Sequence, residues 1–224
     1  TEEGIIFLGD FEDDAYGLSL YDADKDGSCW NLGTNMWGTY YPDGYYTHGG
    51  AQCLASPSDY YNPDNWTFSP AITIPENGAK LSYYVAAFSP KSWLEHYSFY
   101  VAEDITDVEA VKATGAIIEE TLEEAQGAMD GWIERTVDMK DYAGKTVYLC
   151  FRHHDTQQQY LLRLDDVVIS KNDNSGIGSN YKSAQKAQTT YFNAAGQITQ
   201  NPQKGLTIVR KQYEDGSVKT FKAI

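Results

Sequence analysis

A succession of short, strand-like segments separated by turn residues is the feature that most constrains this chain. In Lys80–Val85 polar and apolar side chains alternate, which is the period of a half-buried strand. Clusters such as Pro75–Gly78 and Tyr142–Lys145 mark turns between segments. The ten predicted strands are Ile5–Phe11, Trp30–Leu32, Ala51–Ala55, Trp66–Ile74, Lys80–Phe88, His96–Ala102, Ala116–Leu122, Trp132–Asp138, Thr146–His153 and Tyr160–Ser170. Because only Asp107–Ala113 has helical character, the pattern predicts an all-β, antiparallel jelly-roll β-sandwich.

The chain changes character after Ser170. Residues 1–171 are predicted to form the sandwich, residues 172–188 a polar, glycine-punctuated linker, and residues 189–224 a small C-terminal β appendage. Strands of this appendage are predicted at Thr189–Phe192, Leu206–Gln212 and Ser217–Lys222. A unit of about 35 residues buries little core of its own. We therefore expect it to pack on the sandwich or to be a processed tail.

Charge and cysteine usage exclude several classes of protein. The sequence has 17 Lys and Arg against 32 Asp and Glu, a formal net charge of −15, and so acidic a chain is repelled by the phosphates of nucleic acid. No apolar run reaches the roughly 20 residues of a transmembrane helix, and the first residues lack the basic region of a signal peptide. Cys29, Cys53 and Cys150 leave two alternatives open, either buried thiols throughout or one disulfide and one thiol.

The most specific local signal is an acidic bend at residues 22–27. Asp22, Asp24 and Asp26 alternate with other residues and are followed by Gly27, which matches the first half of a calcium loop. Carboxylates this close repel one another unless a divalent cation such as Ca²⁺ neutralises them. The twelfth loop position holds Gly33 instead of Glu and no helix flanks the loop, so an EF-hand is rejected. A calcium loop of another kind is predicted, with a solvated acidic turn as the alternative.

A second acidic pair, Asp165 and Asp166, lies inside a predicted strand. Neighbouring strand residues face opposite ways, so one of these carboxylates is expected to point inward or into a loop crevice. An inward carboxylate needs a partner or a cation. Glu12 is the natural companion if the first and last strands of the sandwich pair. The alternatives are a structural ion at this junction and an ordinary hydrogen-bonded carboxylate.

An aromatic stretch between residues 37 and 61 is a candidate ligand-binding surface. Exposed rings can stack on sugars or contact a partner protein, and the alternative is local packing over the end of the sandwich. The candidate binding residues are Trp37, Tyr40, Tyr45 and Tyr46, with Tyr60 and Tyr61 nearby.

Other polar clusters are interpreted as structural. His153 and His154 are adjacent on a strand, so their imidazoles diverge and cannot easily share one ion. No Gly-x-Ser-x-Gly nucleophile motif accompanies them. Glu119–Glu120 and Glu123–Glu124 resemble a glycosidase pair by residue type alone, and a solvated sheet edge is the simpler interpretation.

Taken in order, several blocks of residues 5–171 resemble the cleaved-adhesin family (the choice-of-anchor J group), known from the haemagglutinin and adhesin regions of gingipain-type proteases. The blocks are Gly9–Glu12, Tyr21–Trp30, Asp64–Ile72, Ala79–Tyr83, Glu95–Tyr97, Asp141–Tyr148, Phe151–His153 and Leu164–Val167. Lys25 departs from the glycine common in the acidic loop of the family. The C-terminal residues resemble, more weakly, the sorting or anchoring tails of secreted bacterial proteins.

The resemblance implies a jelly roll similar to galactose-binding-like domains, with structural calcium and an adhesive role. It carries the cation candidates over to Asp22, Asp24, Asp26, Glu12, Asp165 and Asp166, and it transfers no motif to the aromatic stretch. We expect a non-catalytic, calcium-stabilised, secreted or cell-surface module that binds a host or matrix protein or a glycan. The alternatives are a carbohydrate-binding module of a secreted hydrolase and a structural surface-assembly protein.

Overall fold

The computed structural model describes residues 4–12, 17–32, 47–58, 62–128, 131–172, 188–193, 195–199, 207–212 and 218–223. Its described elements are almost all strands. They are β1 (Ile5–Gly9), β2 (Ser19–Asp22), β3 (Asn31–Leu32), β4 (Leu54–Pro57), β5 (Asn65–Phe68), β6 (Ile72–Thr73), β7 (Ala79–Ala87), β8 (His96–Ala102), α1 (Val108–Ala113), β9 (Ile118–Thr121), β10 (Ile133–Asp138), β11 (Thr146–His153), β12 (Leu161–Lys171), β13 (Gln188–Asn193), β14 (Ile198–Thr199), β15 (Thr207–Gln212) and β16 (Val218–Ala223). Short 3-10 turns lie at Glu124–Gly127 and Lys140–Tyr142.

Two six-stranded antiparallel sheets form the sandwich, as predicted. The first has the order β10-β7-β12-β4-β3, with β1 also paired to β12. The second has the order β2-β5-β11-β8-β9, with β6 also paired to β11. The first and last strands of the sandwich do pair, which is the condition set for Glu12 as a companion of Asp165 and Asp166, because Leu8 lies opposite Val168.

The core lies between the two sheets and is rich in aromatic rings. From Ala79 to Val85 of β7 the inward residues are buried and the outward ones at least partly exposed, as the alternation predicts. Tyr83 of β7 meets rings of the second sheet, with its centroid 5.0 Å from that of Phe151 and 5.6 Å from that of Phe99. Its hydroxyl is hydrogen-bonded to that of Tyr97 at 3.0 Å. The two sheets are therefore joined by ring packing and by a buried polar contact.

A second apolar cluster covers part of the outer face of the second sheet. Trp66 stacks on Tyr100, with centroids 5.5 Å apart, and Val111 of α1 packs over the same cluster. The predicted helical segment is confirmed, and Asp107 caps it by accepting a hydrogen bond from the backbone N–H of Glu109.

Three details differ from the predicted strands. Trp66–Ile74 is divided into β5 and β6, because Pro70 has no N–H to give to a ladder. Ser19–Asp22 was not predicted as a strand but pairs with β5. In the C-terminal segment, β14 joins the three predicted strands in a four-stranded sheet of order β14-β13-β15-β16.

All three cysteines are free thiols, so of the two alternatives the one with a disulfide is not observed. Among the described residues, no helix has the length and apolar character needed to cross a bilayer.

Candidate cation-binding site

The predicted acidic bend directly follows β2. The Asp22 carboxylate accepts hydrogen bonds from the backbone N–H groups of Lys25 (2.7 Å) and Gly27 (2.9 Å), and Asp26 accepts one from Ser28 (2.7 Å). Lys25 and Gly27 have left-handed backbone conformations, with φ of 61° and 86°. These contacts curl the bend, so that carboxylate oxygens of the three aspartates, Asp22, Asp24 and Asp26, lie within 4.8 Å of one another.

Crowding of the three carboxylates shifts the pKa values of two of them in opposite directions. Desolvation, the hydrogen bond to Asp22 and the negative charges of Asp26 and Asp22 raise the pKa of Asp24 to about 6. Burial also disfavours the charged form of Asp22, but the hydrogen bonds from Asp24 and the backbone outweigh it and lower the pKa of Asp22. Without a cation, Asp24 therefore takes up a proton more readily than an ordinary aspartate, and Asp22 does so less readily.

The donor set of the bend fits calcium. Ca²⁺ takes six to eight hard oxygen ligands at about 2.3–2.6 Å, and three carboxylates supply much of the required charge. The bend is also anchored, because the backbone N–H of Ala23 donates to the carbonyl of Asp64 at 2.9 Å. The side chain of Asp64 in turn accepts two hydrogen bonds from Arg152, at 2.7 and 2.8 Å. The bend is therefore joined to the centre of the second sheet.

The second predicted group of carboxylates is divided between two sides of one segment, residues 47–52. On one side, Glu12 Oε1 accepts hydrogen bonds from the backbone N–H groups of Ala51 (2.6 Å) and Gln52 (3.0 Å). Gly50 has φ of 50°, and a Cβ atom there would lie 1.8 Å from Glu12 Oε1. Only glycine therefore leaves room for this carboxylate.

On the other side, Asp165 and Asp166 both reach His48. Asp165 Oδ2 accepts from the backbone N–H groups of His48 (2.8 Å) and Gly49 (3.1 Å), and His48 Nδ1 lies 2.6 Å from Asp166 Oδ2. Burial raises the pKa of Asp165 well above its usual range, and the charge of Asp166 raises it further.

The expectation that only one of these two carboxylates is turned inward is wrong. The pairing of β12 with β7 shifts register between Asp165 and Val168, and Asp166 has φ of 47°. This bulge breaks the alternation, so both side chains are buried.

Within the described ranges, ligating atoms of three or more His, Cys, Asp or Glu residues come within 4.8 Å in two places. One is the acidic bend and the other is a group of His96, Glu119 and His154. Glu12, Asp165 and Asp166 do not form such a group. Their contribution to a cation site stays a prediction.

Sequence reasoning missed an aromatic and cationic cluster beside the segment at residues 47–52. The ring of His48 stacks on Tyr84 with centroids 3.5 Å apart, and its centroid is 5.9 Å from that of Trp132. The guanidinium of Arg163 lies 4.6 Å from the centroid of the Trp132 ring. The one sequence signal for this cluster was the alternation of the two predicted strands, which places Tyr84 and Trp132 at outward positions. The predicted binding residues Trp37, Tyr40, Tyr45 and Tyr46, with Tyr60 and Tyr61, lie outside the described residues.

His153 belongs to a buried polar network that resembles a catalytic triad in composition only. Its Nδ1 is 2.8 Å from Ser56 Oγ and its Nε2 is 3.0 Å from Glu95 Oε2, while Ser58 donates to Glu95 at 2.8 Å. All four residues are completely buried. The network links β4 of the first sheet to β11 of the second, and the serine cannot reach a substrate.

Comparisons with known proteins agree with this architecture. The family model of the Cleaved Adhesin Domain matches residues 14–169. Hemagglutinin A of Porphyromonas gingivalis is 33% identical over 204 residues, covering 79% of this chain but only 7% of that protein. The K1 and K3 cleaved adhesin domains of Lys-gingipain from the same organism have solved structures. Each superposes with a TM-score of 0.59 over 75% of this chain and 98% of the domain, at 28% and 30% identity. The chain belongs to the Cleaved Adhesin Domain family.

Proposed function

We propose that this chain is a non-catalytic, extracellular binding module, stabilised by calcium, that attaches to a protein or a glycan. The observation that carries the binding role is the match of residues 14–169 to an adhesin domain. The chain spans about 7% of the length of Hemagglutinin A, so the proposal concerns the module and not the activity of the larger protein.

A binding role without chemistry is supported by the burial of the most reactive polar set. Ser56, His153 and Glu95 have the residue types of a hydrolytic triad, but each has 0% of its surface exposed. The hydrogen bonds of these three residues join the two sheets. This structural role explains why the residues are present, and no catalytic role is needed.

Calcium would be held by Asp22, Asp24 and Asp26, which supply hard, anionic oxygen ligands. Its charge would offset the desolvation and the repulsion that raise the pKa of Asp24 to about 6. At the junction, Glu12, Asp165 and Asp166 are candidates for a second cation. There an ion would offset the desolvation of the fully buried Asp165 carboxylate.

The proposed partner is a host or matrix protein or a glycan, bound through the aromatic stretch. Trp37, Tyr40, Tyr45 and Tyr46 offer flat rings that stack on sugars or bury area against a protein. They precede the segment at residues 47–52, which Glu12, Asp165 and Asp166 hold through hydrogen bonds. The segment that follows these four aromatic residues in the chain is therefore anchored to the sandwich.

A combined glycan and matrix-protein array tests the proposal. The wild-type chain should bind at least one class of ligand in calcium, and a variant with all four aromatic residues changed to alanine should lose about 1 kcal/mol or more for each ring that stacks. The matched control is Leu94→Ala, which removes an exposed apolar side chain elsewhere (52% exposed) and should leave binding intact. Absence of any ligand, or full binding by the quadruple variant, would contradict the proposal.

A further inference from the structure

Three strands of the second sheet bring two histidines and a glutamate together on its outer face, away from the acidic bend. His96 of β8 lies opposite Thr121 of β9, and Ser98 lies opposite Glu119. His154 directly follows β11, and its backbone N–H donates to the carbonyl of His96 at 3.2 Å. The ring centroids of His96 and His154 are 4.8 Å apart and the rings are perpendicular, at 89°.

Both imidazoles have Nδ1 engaged in a hydrogen bond that orients the ring. His154 Nδ1 lies 2.8 Å from Asp155 Oδ2, and His96 Nδ1 lies 2.8 Å from Thr121 Oγ1. A carboxylate only accepts hydrogen bonds, so in neutral His154 the proton is on Nδ1 and the lone pair is on Nε2. A carboxylate that fixes the tautomer of a histidine is the usual outer partner of a metal-ligating imidazole.

The Nε2 atoms are directed toward Glu119 and its cross-strand neighbour Ser98. His96 Nε2 is 3.6 Å from Glu119 Oε1, and His154 Nε2 is 2.8 Å from Ser98 Oγ. Ligating atoms of the three side chains lie within 4.8 Å of one another.

We propose that His96, His154 and Glu119 form a site for a borderline divalent transition metal, with zinc as the best probe. Two imidazoles and one carboxylate favour such ions over calcium, which prefers oxygen ligands. Tetrahedral ligands about 2.0–2.2 Å from zinc are about 3.3–3.6 Å apart. Since the ligating atoms lie within 4.8 Å of one another, no pair needs to approach by more than about 1.5 Å. The Glu119 side chain is 54% exposed and free to rotate, and the metal would replace the Ser98 hydroxyl at His154.

The surroundings are compatible with a cation at this site. A positive side chain close to the cluster in the sheet is Arg152, which lies opposite Ser98 and forms a bidentate ion pair with Asp64. Its charge is therefore largely compensated. Three protein ligands leave a fourth position for water or for a side chain of a binding partner.

Zinc titration of the full chain by calorimetry tests the site, in a buffer with excess calcium to occupy the acidic bend. We expect one equivalent of zinc to bind, and cobalt to give the visible absorption of a tetrahedral site. His96→Gln and Glu119→Gln should each weaken zinc binding by at least about tenfold, and Asp155→Asn by about tenfold through the orientation of His154.

Glu134→Gln is the matched control, because it removes an exposed strand carboxylate from the other sheet and should leave the affinity unchanged. Circular dichroism and melting curves establish that each variant is folded. Absence of zinc binding to the wild-type chain would overturn the proposal. Unchanged affinity in folded His96→Gln and Glu119→Gln would also overturn it, because zinc would then bind elsewhere.

Discussion

Replacing Gly50 by alanine should destabilise the sandwich far more than the same change at Gly115. Both glycines have left-handed backbone conformations, with φ of 50° and 84°. At Gly115 a Cβ atom meets nothing within 4 Å, whereas at Gly50 it would overlap the carboxylate of Glu12. The comparison therefore separates backbone strain from the loss of the Glu12 contacts.

The difference can be estimated from the hydrogen bonds of Glu12. An alanine in the left-handed region costs about 1–2 kcal/mol, which is the whole expected effect of Gly115→Ala. Gly50→Ala also expels Glu12 from the backbone N–H groups of Ala51 and Gln52. A hydrogen bond to a charged group contributes about 1.5–3 kcal/mol, and because Glu12 is only half-buried we take the lower end for the pair. The expected total is about 2.5–3.5 kcal/mol.

Chemical denaturation of both variants and of the wild-type chain gives these free energies of unfolding. For a domain of this size, the extra loss of about 1.5 kcal/mol corresponds to a melting temperature roughly 3–6 °C lower for Gly50→Ala than for Gly115→Ala. Because Glu12→Ala removes the clashing carboxylate, the double variant Glu12→Ala with Gly50→Ala should cost about 1–2 kcal/mol less than the sum of the single variants. Equal effects of the two glycine variants, or strict additivity in the double variant, would refute the reasoning.

Two further predictions concern single residues. Lys25→Gly should raise the free energy of unfolding by about 1 kcal/mol, since Lys25 has φ of 61°. Lys25→Ala removes the same charge but keeps the strain and should give no gain, so equal gains in both variants would contradict this account. Asp64→Asn should cost about 1–2 kcal/mol at pH 7. Burial raises the pKa of Asp64, but the hydrogen bonds and charge of Arg152 outweigh it and hold the pKa below its ordinary value of 3.8. A carboxyl group whose pKa is lowered on folding stabilises the fold at pH values above its ordinary pKa. That contribution is lost as the pH falls through the lowered pKa, so the difference in stability between Asp64→Asn and the wild-type chain should vanish in acid. A difference that persists at pH 2 in urea denaturation would argue against this ion pair.

Strand positions were predictable wherever the signal is local. His96–Ala102 and Thr146–His153 were predicted with both ends correct, because alternation and turn residues bound them on each side. Ser19–Asp22 escaped prediction because it is a short edge strand, largely exposed, whose pairing with β5 is a long-range contact.

The candidate sites, like the strands, were predictable where the signal is local and not where it depends on long-range contacts. The acidic bend was predictable because Asp22 closes it with hydrogen bonds to residues three and five positions ahead. By contrast, His48 is 117 positions from Asp165, and no local pattern connects them. The orientation of Asp166 was mispredicted because a bulge depends on the pairing of two distant strands.

The histidine cluster shows the limit of reasoning from neighbouring residues. The prediction that His153 and His154 diverge is confirmed, since one contacts Glu95 inside the sandwich and the other contacts Ser98 on the outer face. That rule could not reveal His96, which joins His154 through the pairing of β8 with β11. Cross-strand register, which cannot be read from neighbouring residues alone, produces the cluster.

The most direct test of calcium stabilisation is the melting temperature of the full chain in calcium and in excess chelator, with Asp24→Asn measured in parallel. At a calcium concentration 100 times the dissociation constant, binding adds about 2.7 kcal/mol, which corresponds to roughly 5–10 °C for a chain of this size. We expect that difference for the wild-type chain and a much smaller one for Asp24→Asn. Equal melting temperatures of the wild-type chain in calcium and in chelator would contradict the account.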